Sequence, residues 1–167
     1  MPKLLSFPNP VNETSARVVA GGVAVIGIAF TVTGNSWILA VLTYGFVARV
    51  LSGPTLSPLG RLATRVITPR LNVQHRFVPG PPKRFAQGMG AAFTLTASVL
   101  VVIGSTTPAR FVIAMLIVAA LLESVFAICL GCIIFGWLMK LGVIPDDVCE
   151  ECNNFTARSW ATTTNSV

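Results

Sequence analysis

The chain is organised around residues Glu123–Cys152, which read ESVFAICLGCIIFGWLMKLGVIPDDVCEEC. This stretch holds all four cysteines of the protein, and they form two C-x-x-C pairs. It also begins with Glu123, the acidic residue that lies inside a long apolar run. Thiols and an intramembrane carboxylate are the groups of this sequence with chemistry of their own, so we expect any reactive site here.

The composition of the whole chain is that of an integral membrane protein. Of its 167 residues, 53% are hydrophobic and only 11% are charged. A small water-soluble domain leaves much of its surface exposed, so it cannot enclose this much apolar surface in one core. The sequence therefore predicts an all-α protein whose main partner is the lipid bilayer.

The net charge of +6 is concentrated in one predicted loop. Between residues 49 and 84 the chain has no acidic residue and seven basic ones, Arg49, Arg61, Arg65, Arg70, Arg76, Lys83 and Arg84. Such a bias places a loop in the cytoplasm, against anionic headgroups. No aromatic side chains alternate with these charges as a stacking platform requires, so the pattern argues against nucleic acid as a partner.

Four apolar runs predict four membrane-spanning helices, over residues 18–32, 37–51, 85–104 and 111–129. An even number of spans, with the basic loop inside, predicts a multi-pass plasma-membrane protein with both termini in the cytoplasm. We expect residues 1–16 to be irregular, Gly34 to lie in a turn, and residues 78–82 to form a stiff linker. Pro58 is expected to begin an amphipathic interfacial helix that ends at Pro69.

An internal repeat divides the predicted membrane domain, residues 1–145, into two halves. The opening motifs Arg17-Val-Val-Ala-Gly21 and Arg84-Phe-Ala-Gln-Gly88 align, as do closing motifs that start at Gly60 and Gly136. The predicted architecture is two tandem two-span repeats, each followed by a short interfacial helix. The repeats are residues 11–69 and 80–145, the basic cytoplasmic loop is 52–84, and an acidic, then polar, cytoplasmic tail is 146–167.

The fourth apolar run is too long to be one membrane-spanning helix. It extends from Phe111 to Met139, which would measure roughly 43 Å as a helix against a hydrocarbon core of about 30 Å. In the repeat, this run corresponds to a second span followed by a helix break. We therefore predict that the span ends near Cys129 and that a second interfacial helix covers Ile133–Leu141.

The first interpretation of the cysteines is dithiol redox or sulfur-transfer chemistry. If a helix restarts after Cys129, that residue lies at a helix N-terminus, where backbone N–H groups and the helix dipole stabilise a thiolate. Cys129 is then the expected nucleophile and Cys132 its resolving thiol. Acidic neighbours disfavour a thiolate at Cys149 and Cys152, which would receive or pass on oxidation. A reducing cytoplasm argues against a permanent structural disulfide.

Zinc binding is the second interpretation. Cys129, Cys132, Cys149 and Cys152 together read C-x2-C-x16-C-x2-C, a spacing typical of four-cysteine zinc sites. The apolar surroundings of the first pair count against a metal site, because it would straddle the headgroup layer.

In the third interpretation, the first pair consists of small apolar helix residues and the tail pair has no role. The sequence leaves these interpretations open and indicates no cofactor firmly.

Glu123 is predicted to be paired or functional, because a carboxylate in the apolar zone costs at least roughly 2.5 kcal/mol by insertion scales. The repeat places Arg49 at nearly the same depth, so we expect an intramembrane Glu123–Arg49 ion pair. Gln87 and Tyr44 are the alternative partners. A proton site at Glu123 would instead suit a small transporter, which with four spans per chain would require a homodimer.

Three motifs carry a resemblance to a known family: Arg84-Phe-Ala-Gln87-Gly88, Ser57-Pro-Leu-Gly60 and Cys129-Leu-Gly-Cys132. With them the chain resembles a bacterial family of small four-span integral membrane proteins classed as a domain of unknown function. The resemblance covers roughly Val11 to Pro145, and the C-L-G-C element in the last span is its most specific part. Members of that family are associated with thioredoxin-like and rhodanese-type proteins, which implies thiol or sulfur traffic with Cys129 and Cys132 as marked positions.

These observations favour a cytoplasm-facing dithiol centre that exchanges electrons or sulfur with a soluble thioredoxin-like or sulfurtransferase partner. Two alternatives remain at this point. One is a non-enzymatic membrane scaffold with the four-cysteine zinc site, and the other is the dimeric transporter that uses Glu123. Whether the protein is an enzyme is not decided by the sequence.

Overall fold

The computed structural model describes residues 9–71, 77–145 and 148, most of which are helical, as the sequence predicts. The long helices are α1 (Glu13–Thr33), α2 (Ser36–Ser52), α5 (Gly80–Val102) and α6 (Thr106–Phe126). The shorter helical segments are α3 (Pro58–Leu62), a π-helical turn (Ala63–Ile67), α4 (Thr68–Arg70) and α7 (Leu130–Lys140). Two short strands, β1 (Val11–Asn12) and β2 (Phe77–Val78), pair antiparallel.

Of the described helices, three are long and apolar enough to cross a membrane, namely α1, α5 and α6. Helix α2 has 17 residues and falls among the shorter apolar helices, so its length alone does not establish a fourth span. Large apolar side chains cover the outer surface of the protein. Val32, Trp37, Val102 and Phe111 are each at least 72% exposed. Such a surface is compatible with a lipid bilayer.

Local sequence signals explain where the first two long helices begin and end. Asn12 Oδ1 accepts hydrogen bonds from the backbone N–H groups of Thr14 and Ser15, at 2.9 and 3.4 Å, and so caps α1. Gly34 ends α1 with a φ of 68°, a left-handed conformation that glycine adopts without strain. Asn35 then caps α2, which confirms the predicted turn at Gly34.

Two segments that the sequence predicts to be non-helical contain helix. Helix α1 begins at Glu13, inside the segment 1–16. Gly80, Pro81 and Pro82, assigned to a stiff linker, form the first turn of α5. Proline is accommodated there because N–H groups of the first turn have no intrahelical acceptor. As a result α5 begins before the predicted span and includes Lys83.

The interfacial helix expected after the second apolar run is present as a helical segment. It begins at Pro58, as predicted, and Ser57 caps it by accepting a hydrogen bond from the N–H of Gly60 at 3.2 Å. The segment continues through the π-helical turn and ends at Arg70, next to the expected stop at Pro69.

The fourth apolar run is divided into two helices, as the sequence predicts. Helix α6 ends at Phe126, and Ala127 follows with a left-handed φ of 58°. Helix α7 starts at Leu130 rather than at Ile133, with Cys129 as its N-cap. The first C-x-x-C pair therefore lies on the first turn of α7.

The long helices pack in two crossed pairs, which means here that each pair joins one helix from the first half of the chain to one from the second half. Helix α1 lies mainly against α6 and α2 mainly against α5, while α5 also contacts α6 and α7. The core between them includes the buried side chains of Val23, Phe30, Leu39, Phe46, Ile113 and Leu116. Small residues allow close approach of helices. Gly27 packs against Ile117 and Gly90 against the Phe46 ring, where an added Cβ would overlap the neighbouring side chain.

We expect Gly90→Ala to destabilise the protein, because the added methyl group would collide with the Phe46 ring. Overpacking of this kind lowers the free energy of unfolding by about 1–3 kcal/mol. The measurement is thermal unfolding of the purified protein in detergent.

Gly88→Ala is the matched control, since nothing lies within 4 Å of its added Cβ. Its melting temperature should not fall, and a Gly90→Ala, Phe46→Leu double variant should recover part of the loss. Equal melting temperatures for the two alanine variants would contradict the packing of α5 against α2.

Candidate functional site

The first pair of cysteines lies at the break between α6 and α7. Cys129 is the N-cap of α7, and its Sγ accepts a hydrogen bond from the backbone N–H of Cys132 at 3.3 Å. A disulfide joins the two residues, whose Cα atoms are 5.2 Å apart. This Cα separation is usual for disulfides, so the pair can bond without movement of the backbone.

The two cysteines differ in exposure and border two cavities. Cys129 is only 9% exposed, whereas Cys132 is half-buried. Both line a cavity of 520 Å³ that also contacts Lys83 and Glu13. Cys129 borders a second cavity, of 270 Å³, which Glu123 also lines. The disulfide therefore lies between two cavities that each contain a charged side chain.

Glu123 pairs with Lys83 and not with Arg49. Lys83 Nζ donates to Glu123 Oε1 at 2.6 Å, and the two side chains are 8% and 17% exposed. The expected Glu123–Arg49 ion pair is therefore wrong for the described structure, because Lys83 on α5 reaches the carboxylate directly. Arg49 is still close enough to Glu123 for an attraction between their charges. Tyr44, an alternative partner, instead donates to the carbonyl of Leu56 at 3.4 Å.

Arg49 is held by neutral groups and by an aromatic ring. Its Nε donates to Gln87 Oε1 at 2.9 Å, and its Nη1 donates to Ser57 Oγ at 3.2 Å. The guanidinium carbon lies 4.5 Å from the centre of the Phe46 ring, a distance typical of a cation–π contact. Gln87, the other alternative partner of Glu123, is thus a partner of Arg49.

Lys83 is the site residue that sequence reasoning missed. The sequence pattern assigns Lys83 to the basic loop, because the third span is expected to begin at Phe85. A signal was available in the sequence, since Gly80-Pro-Pro suits the start of a helix. With a helix start at that point, Lys83 and Gln87 lie one turn apart on the same face. That spacing brings both side chains to the buried charges of α2 and α6.

Cys149 and Cys152 lie outside the described residues, so the four-cysteine zinc site stays a prediction. Within residues 9–71, 77–145 and 148, no group of three or more His, Cys, Asp or Glu side chains could hold a metal ion. The disulfide bears on the zinc interpretation in one respect. Zinc binds thiolates, so Cys129 and Cys132 could serve as ligands only after reduction.

Two arginines donate to the ends of helices that are distant in sequence. Arg17 Nε donates to the carbonyl of Ser124 at 3.0 Å, and its Nη2 donates to that of Val125 at 3.1 Å. Arg84 Nε donates to the carbonyl of Val50 at 3.1 Å. These carbonyls lie in the last turns of α6 and α2, where intrahelical donors are lacking and the helix dipole favours a cation.

Residues 11–140 match the family described as "Domain of unknown function (DUF4395)". The chain belongs to this family. The matched DUF4395 region includes the Lys83–Glu123 ion pair and the first cysteine pair, and it stops before the tail that carries the second pair. No curated protein and no solved structure matches the chain. Membership of DUF4395 confirms the resemblance to a domain of unknown function, and it assigns no chemistry to the site.

We expect Glu123→Gln to lower the free energy of unfolding by about 2 kcal/mol, because it leaves the Lys83 ammonium buried without its carboxylate. This value is below the roughly 3–5 kcal/mol of fully buried pairs, since Glu123 is partly exposed. A Lys83→Met, Glu123→Leu double variant should lose less, because it removes both charges. Denaturant unfolding in detergent measures the three proteins.

Lys140→Met is the control for loss of a lysine, because Lys140 is exposed on α7. Its substitution should change the free energy of unfolding by less than about 0.5 kcal/mol. If the double variant unfolds as easily as Glu123→Gln, Lys83 is not the group that holds the carboxylate.

Proposed function

We propose that Cys129 and Cys132 form a dithiol–disulfide exchange centre at the cytoplasmic face of a membrane protein. The observation that carries the proposal is that the two residues are bonded across the first turn of α7, with Cys129 as the N-cap. A reducing cytoplasm does not maintain permanent structural disulfides. A C-x-x-C pair at the start of a helix is typical of cysteines that exchange reversibly.

The difference in exposure favours Cys132 as the sulfur that a partner attacks, because Cys129 is the more buried of the two. Cys129 is then the leaving group. Its thiolate would be stabilised by the N–H of Cys132 and by the start of α7, and a stabilised thiolate leaves faster. This order differs from the one expected from the sequence, in which Cys129 attacks and Cys132 resolves.

The exchange moves two electrons from a partner dithiol to the disulfide. A thiolate of the partner attacks Cys132 Sγ, an intermolecular disulfide forms, and the bond to Cys129 breaks. Cys129 leaves as a thiolate and takes a proton from solvent. The second thiolate of the partner then attacks the partner's own sulfur in the mixed disulfide and releases Cys132, which is protonated in turn. The partner becomes a disulfide, and the reverse sequence reoxidises the pair.

A soluble thioredoxin-like protein is the partner in this proposal, since its dithiol supplies the two electrons. In the sulfur-transfer version, a rhodanese-type partner would give the outer sulfur of its persulfide to the Cys132 thiolate and leave as a thiolate itself. That version needs a reduced pair as the acceptor. Electron exchange needs a pair that can open and close its disulfide, and the Cα separation of 5.2 Å allows this without movement of the backbone.

We also propose four spans, with α2 as the additional one. Its 17 residues measure roughly 25 Å at about 1.5 Å per residue, which is at the short end for a membrane helix. Slight thinning of the bilayer accommodates such a helix. With α2 across the membrane, both termini, the basic loop and the break at Cys129 face the cytoplasm.

Matching contacts in the two halves support the proposed repeat. The crossed pairs α1–α6 and α2–α5 correspond to each other if the halves are related by a twofold axis. Arg17 and Arg84 open the two copies, and each donates to the last turn of the second long helix in the other copy. The caps are similar in kind, because Ser57 and Cys129 each accept from the N–H three residues further on, although the aligned glycines Gly60 and Gly136 place Ser57 opposite Ile133.

The four-span proposal predicts which single cysteines can be labelled from outside the cell. In a variant without native cysteines, Ser36→Cys and Thr107→Cys should react with a membrane-impermeant maleimide in intact cells. Arg61→Cys and Lys140→Cys should react only after permeabilisation, because α2 and α6 separate them from the outer positions. Labelling of positions 36 and 61 from the same side would contradict the crossing of α2.

The exchange proposal is tested on purified protein in which Cys149 and Cys152 are replaced by serine. Any thiol that is counted then comes from the first cysteine pair. Reduced thioredoxin should convert the disulfide into two thiols, counted by mass after acid quenching and alkylation. A second test uses thioredoxin whose attacking cysteine carries thionitrobenzoate as a leaving group. In Cys129→Ser, we expect the Cys132 thiol to displace that group and form a mixed disulfide with thioredoxin. Cys132→Ser should form much less, because its remaining thiol is buried.

Dithiothreitol is the control that shows whether the pair is reducible in the folded protein. A pair that dithiothreitol reduces but thioredoxin does not would exclude a thioredoxin-like partner. Mixed disulfides formed equally by the two variants would overturn the order of attack. In the protein with all four cysteines, a zinc mass in native mass spectra that Cys129→Ser abolishes would replace the exchange proposal with the zinc site.

A further inference from the structure

A third cavity, of 220 Å³, lies beside the cysteine site without including it. It shares Lys83 with one of the cysteine cavities and Gln87 with the other, but no cysteine is among its described lining residues. The residues that line it include the start of α1, Arg49 on α2 and Pro54. The volume is far above the roughly 10–15 Å³ that one water molecule needs.

Arg49 contributes a buried donor without a protein acceptor to this region. The residue is 4% exposed, and the described residues provide no hydrogen-bond partner for its Nη2. Its Nε and Nη1 are bonded to Gln87 and Ser57, which fix the orientation of the guanidinium plane. A buried donor left unpaired costs about 1–3 kcal/mol, and more if it is charged. Arg49 therefore lines the cavity and carries a charged donor that is fixed in position and has no acceptor among the described residues.

The charges around the cavity do not balance. Arg49 and Lys83 both line it, and Glu123, through its ion pair with Lys83, neutralises one positive charge. The lining residues that the structure describes include no carboxylate, and their other polar side chains are neutral: Asn12, Ser15, Thr64 and Gln87. Among the described lining residues and the ion pair of Lys83, one buried positive charge therefore remains, and a buried charge is costly unless it is paired.

We propose that this cavity binds a tetrahedral oxyanion, a sulfate or phosphate group, with the Arg49 side chain as the principal donor. A guanidinium group is suited to such anions because it is planar, always charged and able to donate to oxygen in a fixed geometry. Two sources offer the same chemistry, a free inorganic anion and the phosphate of an anionic lipid headgroup. The site stands independently of the exchange proposal, since no cysteine contributes to its described wall.

The free-anion arm is thermal unfolding of the detergent-purified protein with increasing sodium sulfate or phosphate, against sodium chloride at the same ionic strength. Binding to the folded protein should raise the melting temperature saturably, by about 5 °C or more at 100 times the Kd. The lipid arm is native mass spectrometry of delipidated protein with phosphatidylglycerol or, as the neutral-headgroup control, phosphatidylcholine. A headgroup ligand should give phosphatidylglycerol adducts in excess.

Arg49→Gln should abolish the response in whichever arm is positive, because it removes the unpaired donor. Arg61→Gln is the matched control, since Arg61 is an exposed arginine outside the cavity wall and its loss should change neither arm. Ala16→Leu provides a second variant that keeps Arg49 and fills the cavity from α1. It should also abolish the response, and it keeps the test decisive if Arg49→Gln does not fold.

The two arms identify the source of the ligand. A sulfate or phosphate response without phosphatidylglycerol adducts supports a free oxyanion, and the reverse result supports a lipid headgroup. No response in either arm overturns the proposal. A response that Arg61→Gln lowers as much as Ala16→Leu also overturns it, because the anion would then be bound by surface charge.

Discussion

The carbonyl groups at the end of α6 are the constraint on which the position of the cysteines depends. The last carbonyls of a helix have no intrahelical donors and need partners from elsewhere. Arg17 donates to two of these carbonyls and so attaches α1 to the last turn of α6. With its end satisfied, α6 can stop at Phe126, and α7 can restart with Cys129 as its cap.

Two side chains of α5 bind the buried charged groups of α2 and α6. Lys83 takes the carboxylate of Glu123, and Gln87, one turn further on, accepts from Arg49. A direct Glu123–Arg49 pair would leave Lys83, which is 8% exposed, without a counter-charge. The arrangement satisfies both ends of the ion pair and leaves one guanidinium nitrogen of Arg49 unpaired.

The disulfide, the ion pair and Arg49 form one contiguous polar region within an apolar scaffold, because neighbouring cavities share Lys83, Gln87 or Cys129. Buried polar and charged groups are costly unless they are paired or hydrogen-bonded. Sequence reasoning found most of this region, including both cysteines, Glu123, Arg49 and Gln87. Lys83 is not singled out by the sequence, because Pro81-Pro82 suits a stiff linker as well as the first turn of a helix.

By itself, the sequence determined the helical character, the turn at Gly34, the break before α7 and the cysteine pair at a helix start. These features depend on hydropathy and on backbone preferences that act over a few residues. Only the tertiary structure decided the crossed helix pairs, the partner of Glu123 and the unpaired nitrogen of Arg49. They depend on which helix faces meet, and those faces are far apart along the chain: Arg17 and Ser124, for example, are 107 residues apart.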